Sequence, residues 1–258
     1  MPTSRLTCTL LAAGLLSPLA WADNAPAKIS LIDRPVPSLD TLKDDAYGKL
    51  VRRGHELATR TFAHIGPEVK NPKMRYAGNN LSCTSCHQDN ATKPYAIPWV
   101  GAFASFPQYR AREDAVSTIE ERVNGCMERS MNGKPLPLGS DEMKAFVAYI
   151  HFLSQGIPVG QEVEGAATKA TRVPDRRADL VAGRQVYQAQ CVACHGPDGQ
   201  GVRAGAAGSA QGYVFPPLWG KDSFNNGAGM NRLLTATRFI RQDRKSTRLN
   251  SSHANVSR

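Results

Sequence analysis

Beyond residue 22 the chain has no apolar run long enough to span a bilayer, which excludes a membrane-embedded body. It also has no basic cluster interleaved with aromatics, and aromatics are only 7% of the residues, so a nucleic-acid surface is a poor reading. The formal charge of +10 overstates the basicity of the folded part. Arg5 contributes one charge and residues 243–258 contribute three (Arg244, Lys245, Arg248 and Arg258 against Asp243), which leaves +6. A moderately basic surface of that kind suits small anions.

The third shortage is of thiol partners. Of six cysteines, four form two Cys-x-x-Cys-His motifs, Cys83–His87 and Cys191–His195. Cys8 lies in the N-terminal segment, so Cys126 is left alone. Residues 1–22 read as a secretory signal peptide: Arg5 is basic, Leu6–Leu19 is apolar, and Ala20-Trp21-Ala22 is a small-x-small cleavage site. The apolar run is short and broken by Ser17 and Pro18, unlike an anchoring helix. The expected location is the periplasm, an oxidising compartment where an odd cysteine requires a chemical explanation.

In Cys-x-x-Cys-His the two thiols reach the vinyl groups of one porphyrin and the adjacent imidazole sits under its iron. A redox dithiol or a zinc site would not explain a histidine directly after both pairs. The chain therefore reads as carrying two covalently bound haem c groups, attached through Cys83 and Cys86 and through Cys191 and Cys194, with His87 and His195 as proximal ligands. The fold class is mainly α: two c-type cytochrome domains, each wrapping one haem.

Around the first motif, Asp45–Ile65 has helical spacing and Glu68–Ser82 reads as a polar loop. Gln88–Gln108 is rich in proline and aromatics, which suits a loop wrapping a haem face. Arg112–Ser130 reads as one helix with the apolar stripe Val116, Ile119, Val123 and Met127. On that wheel Arg122, Cys126 and Ser130 share the neighbouring stripe. Ser140 caps a helix with Met143, Phe146, Val147, Ile150 and Leu153 on one face and Gly156 as its stop.

These patterns divide the chain into a signal peptide (1–22), an N-terminal cytochrome domain (23–158), a polar linker (159–177) and a C-terminal cytochrome domain (178–242). In the last, a helix from Asp179 leads into Cys191, Gly196–Gly212 is a glycine-rich loop, and Met230 precedes a short helix, Arg232–Ile240. Residues 243–258 are polar and aperiodic where a closing helix is expected. Asp243–His253 can be written with the codons of a common sequencing adapter, so this tail reads as non-native and the second domain as lacking its C-terminal closing helix.

Each iron needs a second axial ligand or an open position. Met230 is the only methionine after residue 143 and follows the apolar Val214–Trp219 segment, which suits the second haem. A thioether ligand raises the reduction potential. For the first haem, Cys126, Met127 and Met131 are candidates, with Met74 and His151 further off. A methionine makes the domain an electron carrier, whereas a cysteine thiolate lowers the potential and starts a downhill path to the second haem. An inert buried thiol is also compatible with the residues.

The motifs CTSCH, RVNGCMERSMNG, CVACHG, FPPLWG and FNNGAGMNR, together with most of the segment from Asp45 to Gln242, resemble the periplasmic dihaem thiosulfate dehydrogenases. That family joins two thiosulfates into tetrathionate, and some members run mainly as tetrathionate reductases. The resemblance implies cysteine on the first haem iron (Cys126) and methionine on the second (Met230). It further implies a catalytic cleft with Arg112, Arg122 and Ser130 around Cys126, and an external cytochrome as electron acceptor. Some members carry a lysine that can replace the methionine; Gly229 stands at that position here. Two rivals are the haem-thiolate subunit of the periplasmic sulfur-oxidising complex, which also uses cysteine on iron, and a non-catalytic dihaem electron carrier with Met127 or Met131 on the first iron.

Overall fold

The computed structural model describes residues 28–173 and 175–247, with side chains up to Gln242 in the final helix. The signal peptide, Cys8, His253 and all of the tail beyond Thr247 lie outside the described residues.

The N-terminal half opens with β1 (Ile29–Ser30), which pairs in parallel with β4 (Val163–Glu164), so residues beyond the last core helix fold back over the start. Helix α1 (Ala46–Thr59) is capped by Asp45, whose carboxylate accepts from the Gly48 amide. A break at Arg60 separates it from α2 (Thr61–Ile65), so the stretch read as one helix is two. Thr61 uses this break: its hydroxyl donates to Leu57 O at 2.6 Å and accepts from the Cys83 amide at 3.1 Å, tying the helix to the first motif.

The first motif is a tight turn, Cys83–Ser85, followed by the short α3 (Gln88–Ala91). The loop before it is far from solvated: Asn79 is fully buried and Asn80 nearly so. Strands β2 (Gln108–Arg110) and β3 (Ala115–Ser117) form an antiparallel hairpin, and α4 (Ile119–Arg129) begins only after it. This corrects the expected helix from Arg112. A capping box starts α4 seven residues later, with the Thr118 amide donating to the Glu121 carboxylate at 2.7 Å. Val116 accordingly lies on a strand and is exposed, whereas Ile119 and Met127 are buried as their spacing predicts.

Helix α5 (Asp141–Leu153) is capped by Ser140 and is buried nearly all round, with Tyr149 and Phe152 added to the expected face. It crosses α1 at Gly54, where a Cβ would lie 2.0 Å from Ala145 O and 2.7 Å from Tyr149 Cβ. The missing side chain lets the two backbones touch and closes the core.

The C-terminal half contains α6 (Leu180–Gln190), capped by Asp179, and α7 (Val192–His195) inside the second motif. The glycine-rich stretch contributes β5 (Val202–Arg203), which pairs with β6 (Tyr213–Phe215). Helix α8 (Leu233–Thr247) runs seven residues past the expected end at Ile240.

A polar clasp joins the halves. Arg203 donates to Glu68 at 2.7 and 2.8 Å and to Asp222 at 3.2 Å. Asp222 also accepts from the Asn80 amide at 2.8 Å and from the Tyr213 hydroxyl at 2.6 Å. Burial acts to raise the Glu68 carboxyl pKa, but amides and Arg203 outweigh it and hold the group below its usual value.

Two outcomes are expected. Gly54→Ala forces α1 and α5 apart and should lower stability by about 1–3 kcal/mol in denaturant unfolding. Glu68 contributes stability above its unfolded pKa, roughly 4.3, and loses it as pH falls through its lower folded value. The stability gap between the unsubstituted protein and Glu68→Gln should therefore close on acidification below about pH 4, followed by unfolding at each pH.

Candidate functional site

The first motif is shaped by its backbone. The His87 amide donates to Cys83 O at 2.9 Å, which folds the imidazole back over the two cysteines. Its Nδ1 donates to the carbonyl of Ile97, which leaves Nε2 as the nitrogen turned towards Cys126. Trp99 packs against this ring with centroids 5.3 Å apart, and Phe146 and Tyr149 pack on Trp99 in turn. In front of His87 is a cavity of about 440 Å³ lined by Cys83, Cys86, the Ile97–Val100 segment and Phe146. Cys126, Met127 and Met131 stand on its wall as well.

This set fits a covalent haem: two thiols and an imidazole nitrogen together, apolar walls, and further sulfur side chains on the same cavity wall. The second motif repeats the arrangement. His195 Nδ1 donates to Pro216 O at 2.9 Å, and its amide donates to Cys191 O at 2.9 Å. Leu180 and Val181 on α6 and Leu233 and Leu234 on α8 are exposed apolar side chains in this half. In both motifs the carbonyl that holds the histidine belongs to a residue preceding proline, Pro98 or Pro217, a repeat invisible to spacing alone.

Of the sulfur candidates for the first haem, Cys126 has the distinctive surroundings. Arg122 Nη1 donates to its Sγ at 3.3 Å from one helical turn away. Burial acts to push this thiol up, but Arg122, a hydrogen bond with His87 and the charge of Arg129 prevail and bring it down to about 7. Cys83 and Cys86 face the same cavity, yet burial pushes them up to about 12 and about 11. One cavity thus holds two neutral thiols and one thiol poised to ionise. Met74 packs against the hydrophobic core, and His151 engages the Tyr47 hydroxyl at 2.9 Å.

Cys126 also lines a second cavity of about 340 Å³, shared with His87, Ser130 and five arginines: Arg110, Arg112, Arg122, Arg129 and Arg232. Arg112 reaches it from the hairpin turn and donates to the Gly227 carbonyl in the C-terminal half. Ser130 is the C-cap of α4, its amide bonded to Cys126 O at 2.8 Å, and its side chain lines both cavities. Met230 sits on a tight turn, Gly229–Asn231, and with Gly229 lines the same cavity.

Sequence reasoning missed Arg110, Arg129 and Arg232. Arg129 was findable: it is seven residues from Arg122 and three from Cys126, on one helical face. Gly125 makes room for it, since a Cβ there would lie 2.4 Å from an Arg129 terminal nitrogen. The C-terminal half then secures this helix end. Asn225 Nδ2 donates to Glu128 O at 2.8 Å and its amide donates to Arg129 O at 3.1 Å.

Two helical domains, each with a Cys-x-x-Cys-His turn and a carbonyl-held histidine, define a dihaem c-type cytochrome with two covalent haem c groups. Residues 73–159 match the family described as SoxA/TsdA, cytochrome c domain, and residues 180–244 match cytochrome c. The chain is 40% identical to the thiosulfate dehydrogenase of Allochromatium vinosum over 90% of its own length and 80% of that protein. It is 42% identical to the thiosulfate dehydrogenase of Stutzerimonas stutzeri over 80% of its length, and spans 63% of that relative. Its fold matches the solved thiosulfate dehydrogenase (TsdBA) from Marichromatium purpuratum with a TM-score of 0.72 and 32% identity, covering 80% of this chain and 43% of that one. The chain belongs to the thiosulfate dehydrogenase family.

Replacing Cys83 and Cys86 together by alanine should halve the haem absorbance per chain in an alkaline pyridine assay. The haem on Cys191 and Cys194 should stay attached.

Proposed function

We propose that this protein oxidises two thiosulfate ions to tetrathionate, reversibly, and passes the two electrons through the second haem to an external cytochrome. The proposed compartment is the periplasm, reached by way of the 1–22 segment. The observation that carries this reading is the Arg122–Cys126 contact of 3.3 Å in a wall common to an apolar and an arginine-lined cavity. It supports reading Cys126 as a nucleophile that both a porphyrin and an oxyanion would reach.

His87 and Cys126 would hold the first haem iron, and His195 and Met230 the second. Bound haems supply one-electron acceptance, with a thiolate-ligated group at lower potential than a thioether-ligated one. The remaining chemistry belongs to the chain. Two dianions brought to about 5 Å repel by roughly 3 kcal/mol even in water, so the cleft must supply compensating positive charge. Arg112 and Arg122 do so with planar, permanently charged groups that match sulfonate oxygens, and Ser130 adds a hydroxyl donor.

Cys126 as thiolate bonds to the outer sulfur of one thiosulfate, giving a cysteine S-thiosulfonate and releasing two electrons. The outer sulfur of the second thiosulfate then attacks the same outer sulfur, forming tetrathionate and expelling Cys126 as thiolate. Arg122 stabilises that thiolate at both ends of the cycle, and no proton has to move.

Met127 and Met131 also line the haem cavity, and either one on iron would make the domain a plain electron carrier. Two measurements separate the readings. Cys126→Gly should retain both haems but lose thiosulfate-dependent dye reduction, and retained turnover would end the catalytic reading. Low-temperature EPR of the oxidised protein should show the compressed g-spread of thiolate ligation at one haem.

A further inference from the structure

The arginine-lined cavity has one acidic side chain on its wall, Glu113, and its position matters. One carboxylate oxygen lies 3.1 Å from Arg129 Nη2 and the other 3.3 Å from Arg110 Nε. The turn of the β2–β3 hairpin brings it there, with the Glu113 amide bonded to Arg110 O at 3.0 Å. The Glu113 and Arg129 side chains keep 28% and 24% of their surface exposed, so the pair lines the cavity within reach of solvent. Burial acts to raise the Glu113 carboxyl, but Arg110 and Arg129 outweigh it and keep it below its usual value.

A carboxylate spread across two guanidinium groups uses N–H donors that a sulfonate's oxygens can also accept from. The proposed reaction needs two oxyanions at once. Arg122 and Cys126 serve one, and its partner must sit within the same 340 Å³ with its sulfonate held away from Cys126. We propose that Arg110 and Arg129 form a second sulfonate subsite and that Glu113 is its built-in competitor, displaced when the second sulfur oxyanion or the far end of tetrathionate binds. Arg232, from the C-terminal half, lines the same wall and adds to its positive charge. Glu113 acts here as a specificity-determining residue: a weakly held monoanion does not dislodge it, whereas a sulfonate supported by a second anchor at Cys126 does.

This inference rests on the proposed thiosulfate chemistry, and its test does not use turnover. Sodium tetrathionate is titrated calorimetrically into fully oxidised holoprotein, which cannot reduce it. Glu113→Gln should bind tetrathionate about tenfold more tightly than the unsubstituted protein, because the competing charge is gone. Arg129→Gln and Arg110→Gln should each bind it about tenfold more weakly. Unchanged or weaker binding by Glu113→Gln overturns the competitor role, since a carboxylate that merely braces the two arginines predicts that direction. Failure of both arginine variants to weaken binding overturns the subsite, as does an absence of tetrathionate binding to the unsubstituted protein. Turnover that survives Cys126→Gly would instead remove the catalytic reading and leave these binding results readable.

Discussion

A guanidinium placed one helical turn from a buried thiol is the contact on which the site depends. Arg122 and Cys126 share a face of α4, and the thiol is thereby brought to about 7 despite its burial, while Cys83 and Cys86 across the cavity are pushed far above. The difference comes from charge placement, since all three sulfurs share one cavity. It separates thiols suited to carrying a porphyrin from a sulfur suited to metal ligation and nucleophilic attack.

That contact is kept in place by the other half of the chain. Asn225 occupies the last carbonyls of α4, Arg112 reaches across to Gly227, and the Glu68–Arg203–Asp222 clasp fastens the opposite edge. Buried charge is costly unless well paired, and here each carboxylate of the clasp has several donors. The loop that carries Met230 is thus braced against the helix that carries Cys126. Hydrogen bonds and ion pairs join the two halves at these points, and Tyr213 adds apolar packing against the N-terminal core.

How much of this was legible in the chain depends on distance along it. Cys-x-x-Cys-His is readable because covalent attachment demands adjacent residues, and the α5 face is readable because Ser140 and its apolar period are local signals. The late start of α4 was also written locally, in Thr118 and Glu121, but the apolar stripe extended misleadingly back to Val116, which the hairpin turns outward. Arg203 and Glu68 lie 135 residues apart, and Arg110, Glu113 and Arg232 meet only after a hairpin and a second domain have folded. No periodicity encodes such meetings. Asn79 and Asn80 looked like loop residues and are buried because Ser223, Asp222 and the end of α4 take up their hydrogen bonds.

The carbonyls of Ile97 and Pro216 fix more than the direction of two imidazoles. By claiming the Nδ1 proton, each leaves the opposite nitrogen as the one that would take a metal, and at His87 that nitrogen meets Cys126. Ring rotation is already frozen by the polypeptide, and the entropy of that ordering is spent during chain folding. A haem joined to the cysteines of either motif would then meet an imidazole already turned towards it, His87 in the first and His195 in the second.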